Sequence, residues 1–225
     1  MLFDFIDAVK QADIYSLIAI LASAAVIILV CFPVHESAHA FAAYKLGDPT
    51  AKFSGRISLN PAKHLDLFGT ILILVCGFGY AKPVPVNVYN FKNKKISMAI
   101  TALAGPVSNF IMAIIFVALM KLMFAIFGVV ALPSVVKSVI FLFLQNGAYI
   151  NLSLAIFNLI PLPPLDGSRI LGLFLPDEAY YKIMKYEQIL LYVTLALVAF
   201  GSFSSGISTI TKNIYYFLLS IFNII

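Results

Sequence analysis

The hydrophobic pattern divides the 225-residue chain into long apolar runs and shorter stretches with a different period. Runs over about 14–45, 96–127 and 134–159 are each long enough to cross roughly 30 Å of hydrocarbon as helices. A fourth run covers about 187–206. The apolar tail, 207–225, carries Lys212, Asn213 and the Tyr215–Tyr216 pair, and reads as either a further span or an interfacial helix. After the first run the period changes. In KFSGRISLNPA, residues 52–62, Phe53, Gly55, Ile57 and Leu59 alternate with more polar neighbours, which predicts a strand. In KPVPVNVYNF, residues 82–91, Val84, Val86 and Val88 alternate, and the prolines confine any strand to an edge or an irregular form. Between them, Leu65 to Gly79 is apolar but short for a crossing and predicts a re-entrant or interfacial segment. Backbone of that kind is tolerated at membrane depth only when protein covers it or it lines a wet cavity.

The expected fold is therefore an all-α polytopic membrane protein of about four to six membrane segments, with a small membrane-associated β-strand and re-entrant region, 50–92, after the first span. A single domain, 1–225, is expected. Composition supports this: 62% of residues are hydrophobic, 11% are charged, and mean hydropathy is +1.00, values that exclude an ordinary soluble domain. The first segment reads as retained rather than as a cleaved signal, because Asp4, Asp7 and Asp13 outweigh Lys10 there. Cys31 and Cys76 form no CxxC pair, so no disulfide framework is expected.

The net charge of +5 is read through topology rather than as nucleic-acid binding. Residues 45–95 hold Lys45, Lys52, Arg56, Lys63, Lys82, Lys92, Lys94 and Lys95 against Asp48 and Asp66. Residues 160–187 add Arg169, Lys182 and Lys185, whereas the opposite face has Lys10, Lys121 and Lys137. The positive-inside rule then places the first two loops in the cytoplasm.

Candidate chemistry lies in the last third of the first span, in VHESAHA, residues 34–40. His35 and His39 sit one helical turn apart on one face with Glu36 beside them, the way a zinc hydrolase presents two imidazoles and a carboxylate. Ionisable groups inside a span cost roughly 2.5 kcal/mol or more each, so three within five residues call for a compensating partner such as a metal. Pro33, just before, removes a helix hydrogen bond and is either a tolerated kink or an opening to water.

A catalytic zinc usually takes three protein ligands and leaves one position open. Glu187, Asp177 and Asp48 read as ordinary surface charges. Asp166, flanked by apolar and proline residues, follows the cytoplasmic end of the third long span, and His39 lies about 9 Å from Lys45 along its helix, so both fall at one depth. Asp166 reads equally as a turn residue before Gly167. His64 near Asp66 suggests a second metal site less readily than a structural histidine, and Cys31 reads as a packing residue.

VHESAHAFAAYKLGDPTAKFSGRISLNPAKHLDLFGT, GYAKPVPVN, AGPVSNF and FNLIPLPPLDGSRIL, in that order over about residues 33–171, resemble the signatures of the site-2 protease family, the M50-type intramembrane zinc metalloproteases. The resemblance implies that His35, His39 and Asp166, of the LDG motif at 165–167, hold one Zn2+ per chain, with Glu36 as the catalytic carboxylate. It further implies that the strand region holds an extended substrate and that Asn158 helps to bind the substrate backbone. The alternative for Asn158 is a helix-end cap or an interhelical hydrogen bond. Asn109 is a further substrate-side candidate, although with Gly105 and Pro106 it fits close helix packing as well. Tyr80 stands where the related pattern usually has Trp, and Leu67 where it often has Pro. The PDZ and CBS domains of some relatives have no room here.

The expected function is intramembrane cleavage of transmembrane protein substrates, at a site toward the cytoplasmic side of a prokaryotic cell membrane. The expected partners are a transmembrane substrate and the lipid bilayer, with no nucleic acid; the sequence leaves the oligomeric state open. The rival reading is a zinc transporter or metal-binding membrane protein without proteolysis. A transporter should carry ionisable residues toward both faces, and few lie beyond the cluster near one face.

Overall fold

The computed structural model describes residue 10 and residues 14–76, 79–127, 133–199 and 204–224. The expectation of a retained N-terminal segment lies almost wholly outside the described residues. Helix α1, Ile14–Val26, runs through a π-helical turn, Ile27–Cys31, into α2, Phe32–Lys45. Pro33 accounts for the turn: it has no N–H, and its ring crowds the carbonyl four residues back. Widening the backbone spacing, seen where Phe32 N donates to Ile27 O, relieves that crowding without ending the helix.

Short pieces follow: α3, Thr50–Phe53, a 3-10 turn at Pro61–Lys63, α4, Leu67–Cys76, and a 3-10 turn at Val88–Asn90. Then come α5, Lys94–Phe127, and α6, Ser134–Asn158, followed by α7, Asp166–Leu171, and α8, Asp177–Met184. The chain continues through α9, Glu187–Ala199, to α10, Ser204–Ile221. Among the described residues three stretches are long and apolar enough to cross a membrane: Leu17–Lys45, Lys94–Ile126 and Ser134–Asn158. The expected count of four to six segments is not supported. The expected span over 187–206 is helical through Ala199, with 200–203 outside the described residues, and α10 is not among the three.

Helix α5 packs along α2 and α6 and carries α7 on its flank. Its inner face places Ala113, Phe116, Val117 and Met120 against Leu144, Ala148 and Leu152 of α6 and Tyr215, Leu218 and Leu219 of α10. Its outer face is also apolar: Leu103, Val107, Ile111, Ile115, Leu119 and Leu122 remain 39–52% exposed. Leaving such side chains in water forfeits roughly 25 cal/mol per Å2, which marks this as a lipid-facing stripe.

The expected strands are absent among the described residues, where pairing is limited to an isolated antiparallel bridge between Leu65 and Ala81. Pro83 and Pro85 have no N–H to give a ladder. Side chains also take the carbonyls a ladder would need. Arg56 donates to the carbonyls of Lys82 and Pro83, while Ser37 and His64 both bond the carbonyl of Ser58. Within the segment expected to be re-entrant or interfacial lies a short helix, α4, whose ten residues span about 15 Å, half the hydrocarbon thickness.

Asp48 is also not the surface charge expected. It is fully buried, and its carboxylate accepts from Asn87 N (2.7 Å), Asn90 Nδ2 (2.7 Å), Thr50 N (3.1 Å) and Thr50 Oγ1 (2.5 Å). These bonds staple the end of α2 to the segment leading into α5. Burial alone raises its pKa, but the hydrogen bonds from Thr50, Asn90 and Asn87 outweigh it and hold the carboxyl below its ordinary value.

Candidate metal centre and active site

Helical spacing on α2 brings the two imidazoles together, with His35 Nε2 3.0 Å from His39 Nε2 and the rings edge to face. The third member arrives from far along the chain. After α6 ends, turns closed by Leu162 N to Ile160 O and Leu165 N to Leu162 O lead into α7, whose first residue is Asp166. Thr194 of α9 steadies that loop by donating to Pro163 O. Gly167 is required by the close return of the chain: a Cβ there would lie 2.3 Å from Leu159 O.

Asp166 Oδ2 lies 3.2 Å from His35 Nε2 and 3.3 Å from His39 Nε2, and it is buried without a well-formed hydrogen bond. Tetrahedral zinc with ligands at about 2.0–2.1 Å has ligand-to-ligand edges of about 3.3 Å. The observed 3.0, 3.2 and 3.3 Å match that triangle, and the donor set is the nitrogen and carboxylate type that zinc accepts. Three converging acceptors with an orphaned carboxylate oxygen fit a metal better than they fit one another.

The other side of each imidazole faces α5. His39 Nδ1 is 2.7 Å from Thr101 O, and His35 Nδ1 is 3.3 Å from Asn109 Nδ2. Glu36, 9% exposed, has Arg56 Nη2 3.8 Å from its Oε2. Arg56 is itself buried at 5% exposure and anchored on the Lys82 and Pro83 carbonyls. Burial pushes its guanidinium below the ordinary value, against the opposing pull of Glu36. Sequence reasoning counted Arg56 only as a loop charge and missed its place beside Glu36. A single arginine in a stretch of strand-like period carries no signal for it.

The remaining candidates fall into place. Asn158 donates to Leu154 O one turn back, the helix-end arrangement, and Asn109 meets His35. His64 is buried with Nε2 2.6 Å from Ser58 O; burial pushes its pKa down, so it is neutral and donates there. Among the described residues the only cluster of three metal-ligating groups is His35, His39 and Asp166. Asp66 accepts from Gly69 N at the start of α4. Asp177 pairs with Lys95 at 2.8 Å, and Glu187 with Arg169 at 3.1 Å. Cys31 is buried among its neighbours.

A metal-type triad with a buried glutamate at its side, set in a bundle of membrane-length helices, defines a class: a metalloenzyme of the membrane. The chain belongs to Peptidase family M50, whose family model matches residues 23–201, and it is a membrane zinc metallopeptidase. It is 44% identical over 178 residues to "Putative zinc metalloprotease YwhC" of Bacillus subtilis, covering 78% of this chain and 80% of that protein. Rip2 of Mycobacterium tuberculosis, which carries the same description, is 27% identical over 75% of this chain and 63% of its own length. MJ0611 of Methanocaldococcus jannaschii, also so described, is 34% identical over 47% of this chain and 49% of its own. No solved structure matches the chain.

Proposed function

We propose that this metallopeptidase cleaves peptide bonds in or near the transmembrane segments of membrane protein substrates. It does so with one zinc per chain held by His35, His39 and Asp166, and with Glu36 as the proton carrier. The observation that carries the reading is the triangle of Nε2, Nε2 and Oδ2 atoms, with edges of 3.0–3.3 Å, on the membrane-length stretch Leu17–Lys45. Zinc bound there supplies Lewis acidity and lowers the pKa of a bound water toward about 7.

The protein's own groups do the rest. Glu36 takes a proton from the attacking water as its oxygen bonds to the scissile carbonyl carbon, then delivers that proton to the amine nitrogen as the C–N bond breaks. Helical substrates have their carbonyls in internal hydrogen bonds, so a short unwound stretch is the form that reacts. The site lies toward the cytoplasm, a reading supported by the lysine- and arginine-rich segment 45–95 that follows the histidine-bearing span.

The test is co-expression of the wild type or Glu36→Gln with a panel of tagged single-span proteins. A fragment present only with the wild type is expected, with zinc retained by Glu36→Gln and lost in His35→Ala and Asp166→Ala. Full cleavage by Glu36→Gln refutes the role given to Glu36.

A further inference from the structure

Every fourth residue on the inner face of α5, Thr101, Gly105 and Asn109, meets the two histidines of α2, which are themselves four residues apart. All three are buried, Thr101 at 2% exposure and Asn109 at 1%. Each does something different to the imidazoles. The Thr101 carbonyl can only accept, so the 2.7 Å contact places the hydrogen of His39 on Nδ1 and leaves Nε2 a bare lone pair. Gly105 supplies space: a Cβ there would stand 2.4 Å from His39 Nε2 and 2.5 Å from His35 Cε1.

Asn109 decides the tautomer of His35. With its amide nitrogen toward Nδ1, it would force the imidazole hydrogen onto Nε2, pointing into the triad, while its own buried Oδ1 stays without a partner. Half a turn of the carboxamide, nearly isosteric, puts Oδ1 at Nδ1, where it accepts from Nδ1–H and bares Nε2; the amide nitrogen gives up its 3.3 Å contact with the ring in exchange. Both histidines then share one tautomer, and both Nε2 atoms face Asp166 as ligands.

We propose that Thr101, Gly105 and Asn109 form a cradle on α5 that sets the tautomer and aim of both imidazoles, with Asn109 a positioning residue acting on zinc through His35. The cradle rests on the metal reading of the triad, and the test separates the two. Zinc affinity of the full chain in detergent is measured by competition with a chelator, and the site geometry by the absorption bands of the cobalt-loaded protein. Asn109→Leu, similar in size and unable to accept, is expected to bind zinc about 10–100-fold more weakly with altered cobalt bands. Asn109→Asp, which can accept from Nδ1–H, is expected to restore both.

Wild-type zinc affinity in Asn109→Leu overturns the cradle, and so does equal loss in Asn109→Leu and Asn109→Asp. If Asn109→Leu does not fold, Asn109→Ser, too short to reach Nδ1, is measured in its place with the same expectation. Loss of zinc in His35→Ala with none in the Asn109 variants refutes the cradle alone. Undiminished zinc in His35→Ala refutes the metal reading beneath it.

Discussion

Replacing Gly105 with alanine tests the packing of the site most sharply, because two physical effects predict opposite signs. Gly105 sits inside the 34-residue helix α5, where helix propensity alone would make alanine more stable by about 0.8–1 kcal/mol. The new methyl, however, would stand 2.4 Å from His39 Nε2 and 2.5 Å from the Cε1 atoms of His35 and His39. Ordinary carbon contacts begin near 3.5 Å, so the rings or the helices must separate by about 1 Å. The rings have little freedom to retreat, since His39 Nδ1 is held at Thr101 O and His35 Nδ1 faces Asn109. Overpacking of this kind costs about 1–3 kcal/mol. A shift of that size also exceeds the roughly 0.2 Å tolerance of a metal site, so zinc affinity should fall at least about tenfold.

Thermal unfolding in detergent, with and without chelator, and chelator competition for zinc read the two consequences. Gly206→Ala in α10 is the internal control: a Cβ there meets nothing within 4 Å, so the same substitution should stabilise by roughly the propensity term. A Gly105→Ala protein as stable as Gly206→Ala, with wild-type zinc affinity, would refute the close approach of α5 to the histidines.

Two further outcomes follow from buried charges, one counted in the sequence only as a loop charge and the other read as a surface charge. Arg56→Met leaves the Glu36 carboxylate without its cation and two backbone carbonyls without donors. It should lower the unfolding free energy of zinc-loaded protein by about 3–5 kcal/mol, with Arg56→Lys intermediate, as read by denaturant titration; no change in Arg56→Met would show that the pair contributes nothing. Asp48→Asn should cost about 1.5–3 kcal/mol by removing a charged acceptor from four donors. Because the folded pKa of Asp48 is lowered, its contribution is present at neutral pH and is lost as pH falls below about 3.9 through the folded value. Wild type and Asp48→Asn should therefore converge in thermal stability under acid conditions.

The parts legible in the sequence were those written in local spacing. A spacing of four positions from His35 to His39 makes about one helical turn whatever surrounds it, and long apolar runs announce membrane-length helices because unsatisfied backbone is too costly in lipid. The strand expectation over 52–62 and 82–91 failed because alternation reports which side chains are apolar, not what satisfies the backbone. Arg56, Ser37 and His64 took the carbonyls, and proline withheld the amides. Asp48 was misread because the residues that bury it, Asn87 and Asn90, lie some 40 positions away and carry no mark of the partnership. The Thr101 carbonyl had no signal at all, since a backbone oxygen is the same at every residue.

By itself, the sequence determined the membrane setting, the pair of imidazoles on one helix face and the candidate glutamate, because composition and helical period are local properties; Asp166 was singled out only by the resemblance of the ordered motifs. Only the tertiary structure decided that Asp166 meets both Nε2 atoms, that Arg56 stands at Glu36, and that a row on α5 holds the far side of each ring. Those contacts join segments 20 to 131 positions apart, and they depend on how closely two helices approach, which Gly105 permits and no local pattern records.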